Sequence, residues 1–409
     1  MINIKVLIVL GTRPEIIKFE PIIRILKQRN DVEAIVVHTG QHYDYLMWKA
    51  FLEDLSISDP DYSLEVKGNT SMQRLSQMIV GLEKIILSEV PNAVLILGDT
   101  DSALAGAITA RRLSVPLVHI EAGLRSFNMN SPEELTRRII AQLALVHFAP
   151  TNLAKFFLIR EGIPKDRIFV VGNTIVDVLF KMLPYISRET KLDPNMILTT
   201  IHRPENVDIE ENLRNVTAIL LSLAKHYHLV FPLHPRTRNR LEKFNLLKEL
   251  LDSNIEISEP KRYTEFLKLL CNSSLVITDS GGLQEESVSL GKKIIVIRPT
   301  TPRWEAVLAG YTYLANLNNN LIITLAKKLI EENRKNMSSR DCRVVNFMYG
   351  DGLAGQRIVK ILMELYTNGK LVYRSPDLSG KELDIVKLFL KNYLGGILNE
   401  TDKDQGNII

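Results

Sequence analysis

The sequence predicts an α/β protein made of two doubly wound halves, each a parallel β-sheet covered by helices on both faces. Short apolar, β-branched runs alternate with longer segments of helical periodicity along most of the 409 residues. The strand candidates are apolar throughout, which is typical of strands buried on both faces. The alternation stops at a polar stretch, residues 187–194, and then starts again, so two sheets fit the chain better than one.

The first half has six strand candidates separated by helical patterns. The clearest helical pattern is at residues 72–87, where Leu75, Met78 and Leu82 fall on one stripe. A further helix is expected to begin near Asn173. The strands are expected at residues 5–10, 34–38, 93–97, 117–120, 146–149 and 168–171.

The second half repeats the pattern. A helical stretch follows the motif at residues 349–352 and ends near Leu365. A last helical pattern at residues 382–398 precedes a polar tail, which we expect to be loose. Strands are expected at residues 197–201, 229–233, 255–257, 275–278 and 294–297.

Composition and charge exclude several classes of protein. With 45% hydrophobic and 24% charged residues, the chain is typical of a folded protein and not of a disordered or collagen-like one. The 51 Lys and Arg against 47 Asp and Glu give a net charge of +4 without a long basic run, so no nucleic-acid partner is expected. There is no apolar stretch of about 18 residues and no signal-peptide pattern, so we expect a cytoplasmic protein without a membrane span.

Metals, disulfides and common cofactors are not expected either. The two cysteines, Cys271 and Cys342, are too few for a disulfide framework or a cysteine-based zinc site, and a reducing environment is the simpler expectation. The eight histidines show no metal-ligand spacing, and His119 lies inside a strand, where we expect it to pack in the core. The first half lacks the Gly-x-Gly-x-x-Gly motif, so no nicotinamide cofactor is expected.

Acidic residues follow the strands of the first half, at the sheet edge where α/β proteins bind ligands. Asp99 and Glu121 follow two strands directly, and Glu133 opens the next helix. Each acid alone could be a helix cap or a first-turn charge. Together they would repel one another unless cations or a reaction require them, and acids in unlike environments are suited to general acid–base chemistry. The cations available nearby are Arg13, Lys18, Arg125 and Arg137.

The corresponding edge of the second half has an anion-binding pattern. Ser280, Gly281 and Gly282 open a helix, whose free backbone N–H groups suit a diphosphate. Glu286 lies about one turn further on, placed for a ribose diol. A glycine-rich turn without a ligand remains the alternative for this motif taken alone. The two edges together predict an inter-domain cleft that binds an anion on one side and is rich in acids on the other.

These motifs, in this order, resemble the non-hydrolysing UDP-N-acetylglucosamine 2-epimerase family. The resemblance covers about residues 1–365, and an ordered series is more specific than any one motif. The matching motifs are residues 11–18 (GTRPEIIK), 38–42 (HTGQH), 98–100 (GDT), 119–126 (HIEAGLRS), 132–137 (PEELTR), 172–177 (GNTIVD), 202–206 (HRPEN), 279–286 (DSGGLQEE) and 349–352 (YGDG).

The resemblance implies the fold of a B-type glycosyltransferase, two Rossmann-like domains with the active site in the cleft between them. It implies catalytic roles for Asp99, Glu121, Glu133 and His202. It implies a UDP-sugar site without a cofactor or metal, and a homodimer. Gln41 and His42 correspond to the motif near which bacterial members bind a second, activating substrate molecule. The substrate-binding residues it implies are Arg13, Lys18, Arg137, Phe266, Ser280, Gly281, Gly282, Glu286 and Arg303.

The implied reaction is elimination followed by re-addition. A carboxylate removes the C2 proton while the bond from C1 to the diphosphate breaks, which leaves a glycal and UDP. Protonation from the opposite face and re-addition of UDP at C1 invert C2. Such a reaction requires a base near C2, cations at the leaving diphosphate and a closed cleft that retains both fragments.

The chain departs from the family pattern at Thr136, where the family usually has Asn, and in one loop. Residues 299–305 are Pro-Thr-Thr-Pro-Arg-Trp-Glu where the family usually has Asp-Thr-Thr-Glu-Arg-Pro-Glu. We expect Pro299, Pro302 and Trp304 to reshape this loop and to bear on sugar specificity.

Other functions stay open at this point. A related enzyme could act on a diacetamido uronate sugar, or release free N-acetylmannosamine by adding water. Glycosyl transfer on the same fold is disfavoured, because a transferase needs at most one base. A nucleotide-sugar sensor with a degenerate site is disfavoured by the intact Asp99, Glu121, Glu133 and His202.

The expected domain organisation has four parts. Residues 1–187 form the domain that carries the catalytic acids, and residues 188–350 form the UDP-binding domain. Residues 351–380 form a helix that crosses back to the first domain, and residues 381–409 form an extra helix and the polar tail.

Overall fold

The computed structural model of the chain describes residues 4–40, 58–186, 191–335 and 342–373. The chain divides into two compact units, Met1–Leu371 and Val372–Ile409. Both sheets belong to the first unit. Among the described residues, no helix combines the length and apolar character needed to cross a membrane.

The first sheet has seven strands, all paired in parallel. They are β1 (Ile4–Leu10), β2 (Val32–His38), β3 (Tyr62–Ser63), β4 (Ala93–Leu97), β5 (Leu117–Ile120), β6 (Val146–Ala149) and β7 (Ile168–Val170). Their order is β3-β2-β1-β4-β5-β6-β7. In the centre, Val6 of β1 lies between Ala34 of β2 and Ala93 of β4.

Helices cover both faces of this sheet because each carries an apolar stripe. In the helix at Ser71–Glu89, the buried residues Met78, Leu82 and Ile85 recur at helical spacing, and Thr70 caps the start by accepting a hydrogen bond from Gln73 N at 3.1 Å. Within the described residues, the helices of this half are α1 (Arg13–Lys27), α2 (Ser71–Glu89), α3 (Asp101–Arg112), α4 (Pro132–Leu143), α5 (Asn152–Arg160) and α6 (Thr174–Ile186).

The second sheet has six parallel strands, β8 (Met196–Thr200), β9 (His228–Pro232), β10 (Ile255–Ser258), β11 (Leu275–Thr278), β12 (Lys293–Val296) and β13 (Thr312–Leu314). Their order is β10-β9-β8-β11-β12-β13. Its helices are α7 (Pro204–Val207), α8 (Glu210–Ala224), α9 (Pro235–Lys243), α10 (Leu247–Leu251), α11 (Tyr263–Asn272), α12 (Gly281–Ser289), α13 (Trp304–Leu308) and α14 (Asn319–Lys335).

Both sheets therefore have the strand order of a Rossmann-like domain, and the α/β prediction with two such domains is confirmed. One apolar cluster contains Ile17 of α1, Leu179 of α6, Leu267 of α11 and Leu283 of α12, so the two halves share part of their core. The last helix of the described part of the chain, α15 (Ala354–Thr367), packs against α1 and α6.

The start of α15 is fixed to the first half by one carboxylate. Asp177 of α6 accepts hydrogen bonds from Ala354 N at 3.1 Å and from Gly355 N at 2.8 Å. These two N–H groups belong to the first turn of a helix, where the backbone lacks partners of its own. The contact holds the two helices side by side.

The strands expected from the sequence are all present, with bounds within two residues of the expected ones. The helix at residues 72–87 is α2, and the one near Asn173 is α6. Two strands were not expected, β3 and β13, because β3 has only two residues and the three residues of β13, Thr-Tyr-Leu, do not form an apolar, β-branched run. The helix expected at residues 382–398 lies outside the described residues, as does part of the polar stretch at 187–194.

The structure contains one disulfide, which the expectation of a reducing environment did not include. Cys271, at the end of α11, and Cys342 are joined by a disulfide across a sequence separation of 71 residues. Cys271 is buried in the shared core, and Cys342 packs against the same cluster. Two cysteines make no framework, yet folding brings this pair together, which spacing alone does not indicate.

Candidate active site

The candidate site lies where the strand order reverses in each sheet, between β1 and β4 in the first and between β8 and β11 in the second. The loops that leave these four strands carry Gly11, Asp99, His202 and Ser280. Side chains of the two halves meet here and form ion pairs with one another. The fold thus brings the carboxyl edges of both sheets to one cleft.

The turn after β1 closes around the buried carboxylate of Glu15. Its Oε2 accepts from the backbone N–H groups of Gly11 at 3.0 Å and Thr12 at 2.8 Å, and its Oε1 accepts from the Thr100 hydroxyl at 2.7 Å. A Cβ at position 11 would lie 2.1 Å from the Thr39 hydroxyl oxygen, so the turn needs glycine. This turn starts α1, which carries Lys18 towards the second half.

Four buried charged side chains join the two halves, Lys18 and Glu121 from the first and Glu285 and Arg303 from the second. Lys18 Nζ lies 2.6 Å from Glu121 Oε1 and 2.8 Å from Glu285 Oε2. Arg303 Nη2 lies 3.2 Å from Glu121 Oε1, and Arg303 Nε donates to Glu285 Oε1 at 3.0 Å. We call this group the ion-pair tetrad. Its two cations balance its two anions, which makes its burial tolerable.

Glu121 occupies a strained position in the tetrad. It follows β5 directly with a φ of +63°, in the left-handed region that a residue with a side chain rarely adopts. Asn173 Nδ2 donates to its Oε1 at 3.2 Å. Burial by itself would raise the pKa of Glu121, but Lys18 and Arg303 outweigh burial and lower it, so this carboxylate is ionised at neutral pH.

For Glu285, burial outweighs the attraction of the cations, so its pKa is raised and not lowered. Its side chain is 1% exposed, and this burial raises its pKa above the usual range against the attraction of Arg303 and Lys18. The negative charge of Glu121 raises that pKa further. Glu285 is therefore the carboxylate of the tetrad that gains a proton more readily.

Asp99 and Arg137 form a second network on the first half. Arg137 donates to Asp99 through Nη1 and to Glu134 Oε2 through Nη2 at 2.9 Å. Glu134 is fully buried and also accepts from Ser126 N at 2.8 Å. The network fixes Asp99 at the end of β4, where its side chain is 30% exposed.

Glu133 reaches across the cleft. Arg203 Nη1 of the second half donates to Glu133 Oε1 at 2.5 Å, and Ser131 Oγ donates to Glu133 Oε2 at 2.5 Å. A cavity of about 350 Å³ opens beside this pair. Its lining includes Asn128 and Glu133 of the first half and Arg298 of the second.

His202 is held by a buried acid. Asp279 is fully buried and accepts from the backbone N–H groups of His202 at 3.1 Å and Arg203 at 2.9 Å. The Nδ1 atom of His202 lies 3.4 Å from Asp279 Oδ1. Burial lowers the pKa of His202 although Asp279 opposes this, so the ring is neutral at pH 7.

The helix start at Ser280–Gly282 faces the tetrad. Ser280 is the N-cap of α12, and a Cβ at Gly281 would lie 2.8 Å from Arg303 Nη1, so the missing side chain lets the guanidinium lie against the turn. A Cβ at Gly282 would meet nothing within 4 Å, so its backbone borders open space. The Ser280 N–H donates to Thr278 Oγ1 at 2.9 Å, so the N–H groups of Gly281 and Gly282, beside the Arg303 cation, are the ones that suit an anion.

Glu286 and its neighbours lie next to this helix start. Tyr263 donates to Glu286 Oε1 at 2.7 Å, and burial raises the pKa of the Glu286 carboxyl. Arg13 donates to Lys261 O at 3.3 Å and attracts Glu286 electrostatically. Phe266, one turn along α11 from Tyr263, is partly buried against the shared core.

The loop that departs from the family pattern contacts the first half. Trp304 Nε1 donates to Arg125 O at 2.9 Å, and Thr300 Oγ1 donates to Ser126 O at 2.7 Å. Thr151 of the first half donates to Glu305. Of the three departing residues, Trp304 thus belongs to a link between the halves, and this loop connects the HIEAGLRS motif with Arg303.

The acids of this region that sequence reasoning missed include Glu285, Glu134 and Asp279. All three lie inside motifs that were singled out, but a motif does not say which of its acids points into the cleft.

His119 packs in the core as expected and is fully buried. Gln41 and His42 lie outside the described residues. Within the described ranges, no three His, Cys, Asp or Glu side chains are grouped as a metal site would require.

Comparisons with known proteins give one consistent picture. The chain matches the family model of UDP-N-acetylglucosamine 2-epimerase over residues 24–363. It is 39% identical over 370 residues to the UDP-N-acetylglucosamine 2-epimerase of Methanocaldococcus jannaschii, which covers 88% of this chain and 98% of the relative. It is 36% identical over 369 residues to the UDP-2,3-diacetamido-2,3-dideoxy-D-glucuronate 2-epimerase of Pseudomonas aeruginosa, which covers 88% of this chain and 100% of the relative.

A solved structure agrees with these relatives. The crystal structure of the Methanocaldococcus jannaschii UDP-GlcNAc 2-epimerase in complex with UDP-GlcNAc and UDP matches with a TM-score of 0.81 at 39% identity. The match covers 88% of this chain and 99% of that chain. Fold and sequence therefore point to the same family.

Proposed function

The chain belongs to the UDP-N-acetylglucosamine 2-epimerase family and is an isomerase, and we propose that it interconverts UDP-N-acetylglucosamine and UDP-N-acetylmannosamine by eliminating UDP and adding it back. The observation that carries this proposal is the ion-pair tetrad. It combines two cations suited to a diphosphate, Lys18 and Arg303, with a carboxylate suited to proton transfer, Glu121, in one buried group.

The nucleotide end of the substrate would lie on the second half. Gly281 and Gly282, which open α12, would offer their N–H groups to the diphosphate, and Arg303 lies directly against this turn. Glu286 would accept the hydroxyls of the ribose, and Phe266 would contact the uracil. Arg13 would close the site from the first half, since it already contacts the backbone of Lys261.

The sugar would lie among the three acids of the first half. Removal of the C2 proton requires an ionised carboxylate. Lys18 and Arg303 lower the pKa of Glu121, and the Ser131 hydroxyl and Arg203 lower the pKa of Glu133, so both acids are ionised at neutral pH. We propose that Asp99, Glu121 and Glu133 share the roles of base and acid on the two faces of C2, with Arg137 fixing Asp99. Neutral His202 would donate a hydrogen bond on the diphosphate side.

Retention of the glycal and UDP requires a closed cleft, because loss of either fragment would end the reaction as a cleavage. Arg203 with Glu133, and Trp304 with the backbone of Arg125, link the two halves across the opening. These links support a cycle in which the cleft opens for exchange of the whole UDP-sugar and is closed during elimination.

A second candidate substrate is a diacetamido uronate UDP-sugar. One relative has that activity, and one feature of this structure also favours such a substrate. Arg298 lines the cavity next to Glu133, where its guanidinium could bind the carboxylate of a uronate. Arg298 is 3.6 Å from Glu205, which competes for it. We therefore keep UDP-N-acetylglucosamine as the main proposal.

The test is product analysis by anion exchange after incubation with each UDP-sugar. Formation of UDP-N-acetylmannosamine from UDP-N-acetylglucosamine supports the main proposal. Conversion of the uronate alone would replace it with the second candidate. Free N-acetylmannosamine together with UDP would assign the chain to hydrolysing relatives.

We further propose that the enzyme acts in the cytoplasm as a homodimer and supplies amino-mannose donors for the synthesis of surface glycans. Nucleotide sugars of this kind are donors for glycosyl transfer, so glycosyltransferases would consume the product. Light scattering during gel filtration tests the assembly, since a dimer has twice the 46.4 kDa mass of the chain.

A further inference from the structure

Glu285 is a buried acid for which the reaction described above has no use. It lies on α12, one residue before the Glu286 of the nucleotide site, and its two carboxylate oxygens contact Lys18 and Arg303. Glu121, the other acid of the tetrad, has an additional neutral donor in Asn173. Glu285 therefore depends on the two cations for its charge more than Glu121 does.

The charged and titratable groups around Glu285 come from every element packed against it. Lys18 reaches it from α1, Glu121 from the end of β5 and Arg303 from the residue before α13. Tyr349, fully buried near the start of α15, is also close enough to feel its charge. Lys18 and Arg303 are the positive charges of this group.

Binding of a diphosphate changes the balance of the tetrad. Without ligand, and at a pH above the raised pKa of Glu285, two cations face two carboxylates and the net charge of the tetrad is zero. A nucleoside diphosphate that engages Lys18 and Arg303 adds at least two negative charges to the same buried volume. The two carboxylates would then share their cations with the ligand, and a buried carboxylate that loses its counter-ion takes up a proton instead of remaining charged.

We propose that Glu285 takes up one proton from solvent when a nucleoside diphosphate binds, because the ligand draws Lys18 and Arg303 away from its carboxylate. The inference rests on the proposed function, since it requires the diphosphate to engage these two cations. The raised pKa of Glu285 relative to Glu121 agrees with it. Glu285 is thus a positioning residue: it holds both cations in place in the empty site and releases them to the ligand.

The experiment is isothermal titration calorimetry of the full chain with UDP at pH 8, in PIPES and in Tris. The two buffers differ in ionisation enthalpy, so the difference in measured heat gives the number of protons bound. At pH 8 the terminal phosphate of UDP is already ionised, since its second pKa is about 6. We expect uptake approaching one proton per UDP for the wild type and close to none for Glu285→Gln, which still binds UDP.

Glu20→Gln is the matched control. Glu20 is a buried acid on α1 with two cationic partners, Arg24 at 3.1 Å and Lys181 at 2.8 Å, and it lies outside the site. This variant should keep the proton uptake of the wild type. A second measurement needs no variant: the Kd of the wild type for UDP should rise up to tenfold per pH unit above pH 8.

The outcomes separate this inference from the proposed function. UDP binding without proton uptake, or with the same uptake in Glu285→Gln, overturns the role of Glu285 and leaves the epimerase proposal intact. Failure of the wild type to bind UDP overturns both. Uptake that disappears in Glu285→Gln and persists in Glu20→Gln supports the inference.

Discussion

Arg203 of the second half donates to Glu133 of the first half at 2.5 Å, so an ion pair bridges the cleft at the edge of the candidate site. Burial would raise the pKa of Glu133, but the Ser131 hydroxyl and Arg203 together lower it to about 2. The pKa of one proposed catalytic acid thus depends in part on a residue of the other half. When the two halves approach each other, Arg203 comes into contact with Glu133 and lowers its pKa.

Arg203→Met should move the acidic limb of the kcat/KM profile to higher pH. Arg203 lowers the pKa of Glu133, so its removal raises that pKa, and the ionised form is then lost at a higher pH than in the wild type. The expected displacement is about one pH unit, because the Ser131 hydroxyl continues to lower the pKa of Glu133. Arg238→Met, which removes a surface partner of Glu259, is the control and should leave the profile in place. An unchanged limb in Arg203→Met would show that Glu133 is not the titrating group.

Glu121→Gln should separate turnover from binding. Loss of a general acid or base lowers the rate by about 10²–10⁴-fold. Removal of one negative charge from beside Lys18 and Arg303 should leave the affinity for UDP unchanged or increase it. Initial rates and UDP titrations check the two effects. A fall in affinity that matches the fall in rate would mean that Glu121 serves only to hold the site together.

Trp304→Phe should weaken the link between the domains while keeping an aromatic ring at this position. The ring would remain near Phe127, whose centroid is 6.4 Å from that of Trp304, but the hydrogen bond to Arg125 O would be lost. One such bond contributes about 0.5–1.5 kcal/mol, which corresponds to a two- to tenfold fall in kcat/KM for UDP-N-acetylglucosamine. Thr300→Val removes the adjacent bond and should have an effect of similar size. Wild-type kinetics in both variants would contradict a role for this loop in closing the cleft.

Reduction of the Cys271–Cys342 disulfide should destabilise the protein. A cross-link that closes a loop of this length restricts the unfolded chain by about 4 kcal/mol. Urea unfolding with and without dithiothreitol measures the change. Cys342→Ser should resemble the reduced wild type and should not respond to dithiothreitol. Equal unfolding midpoints for oxidised and reduced wild type would show that the bond does not form in solution.

The positions of the site residues follow from the sequence because parallel strands bring their carboxyl ends to one edge. Four of these residues each follow a strand: Asp99, Glu121, His202 and Ser280. Recognising the strands was therefore enough to predict that they lie at the cleft. Glycines marked the turns, and the apolar runs marked the strands.

Which residue of a motif faces the cleft could not be predicted in the same way. Glu285 and Glu286 are neighbours on α12, and their directions depend on how that helix is rotated against α1 and α11. Glu285 meets Lys18, while Glu286 meets Tyr263. The pairing of Cys271 with Cys342 is likewise set by packing between distant segments.

The most direct test of the epimerase account is proton NMR of the protein with UDP-N-acetylglucosamine in heavy water. Elimination requires that the C2 proton leaves and that a proton from solvent replaces it. The account predicts UDP-N-acetylmannosamine with deuterium at C2, and gradual loss of the C2 proton from the remaining substrate. Product that keeps its original C2 proton, or bound substrate that never exchanges it, would contradict the account.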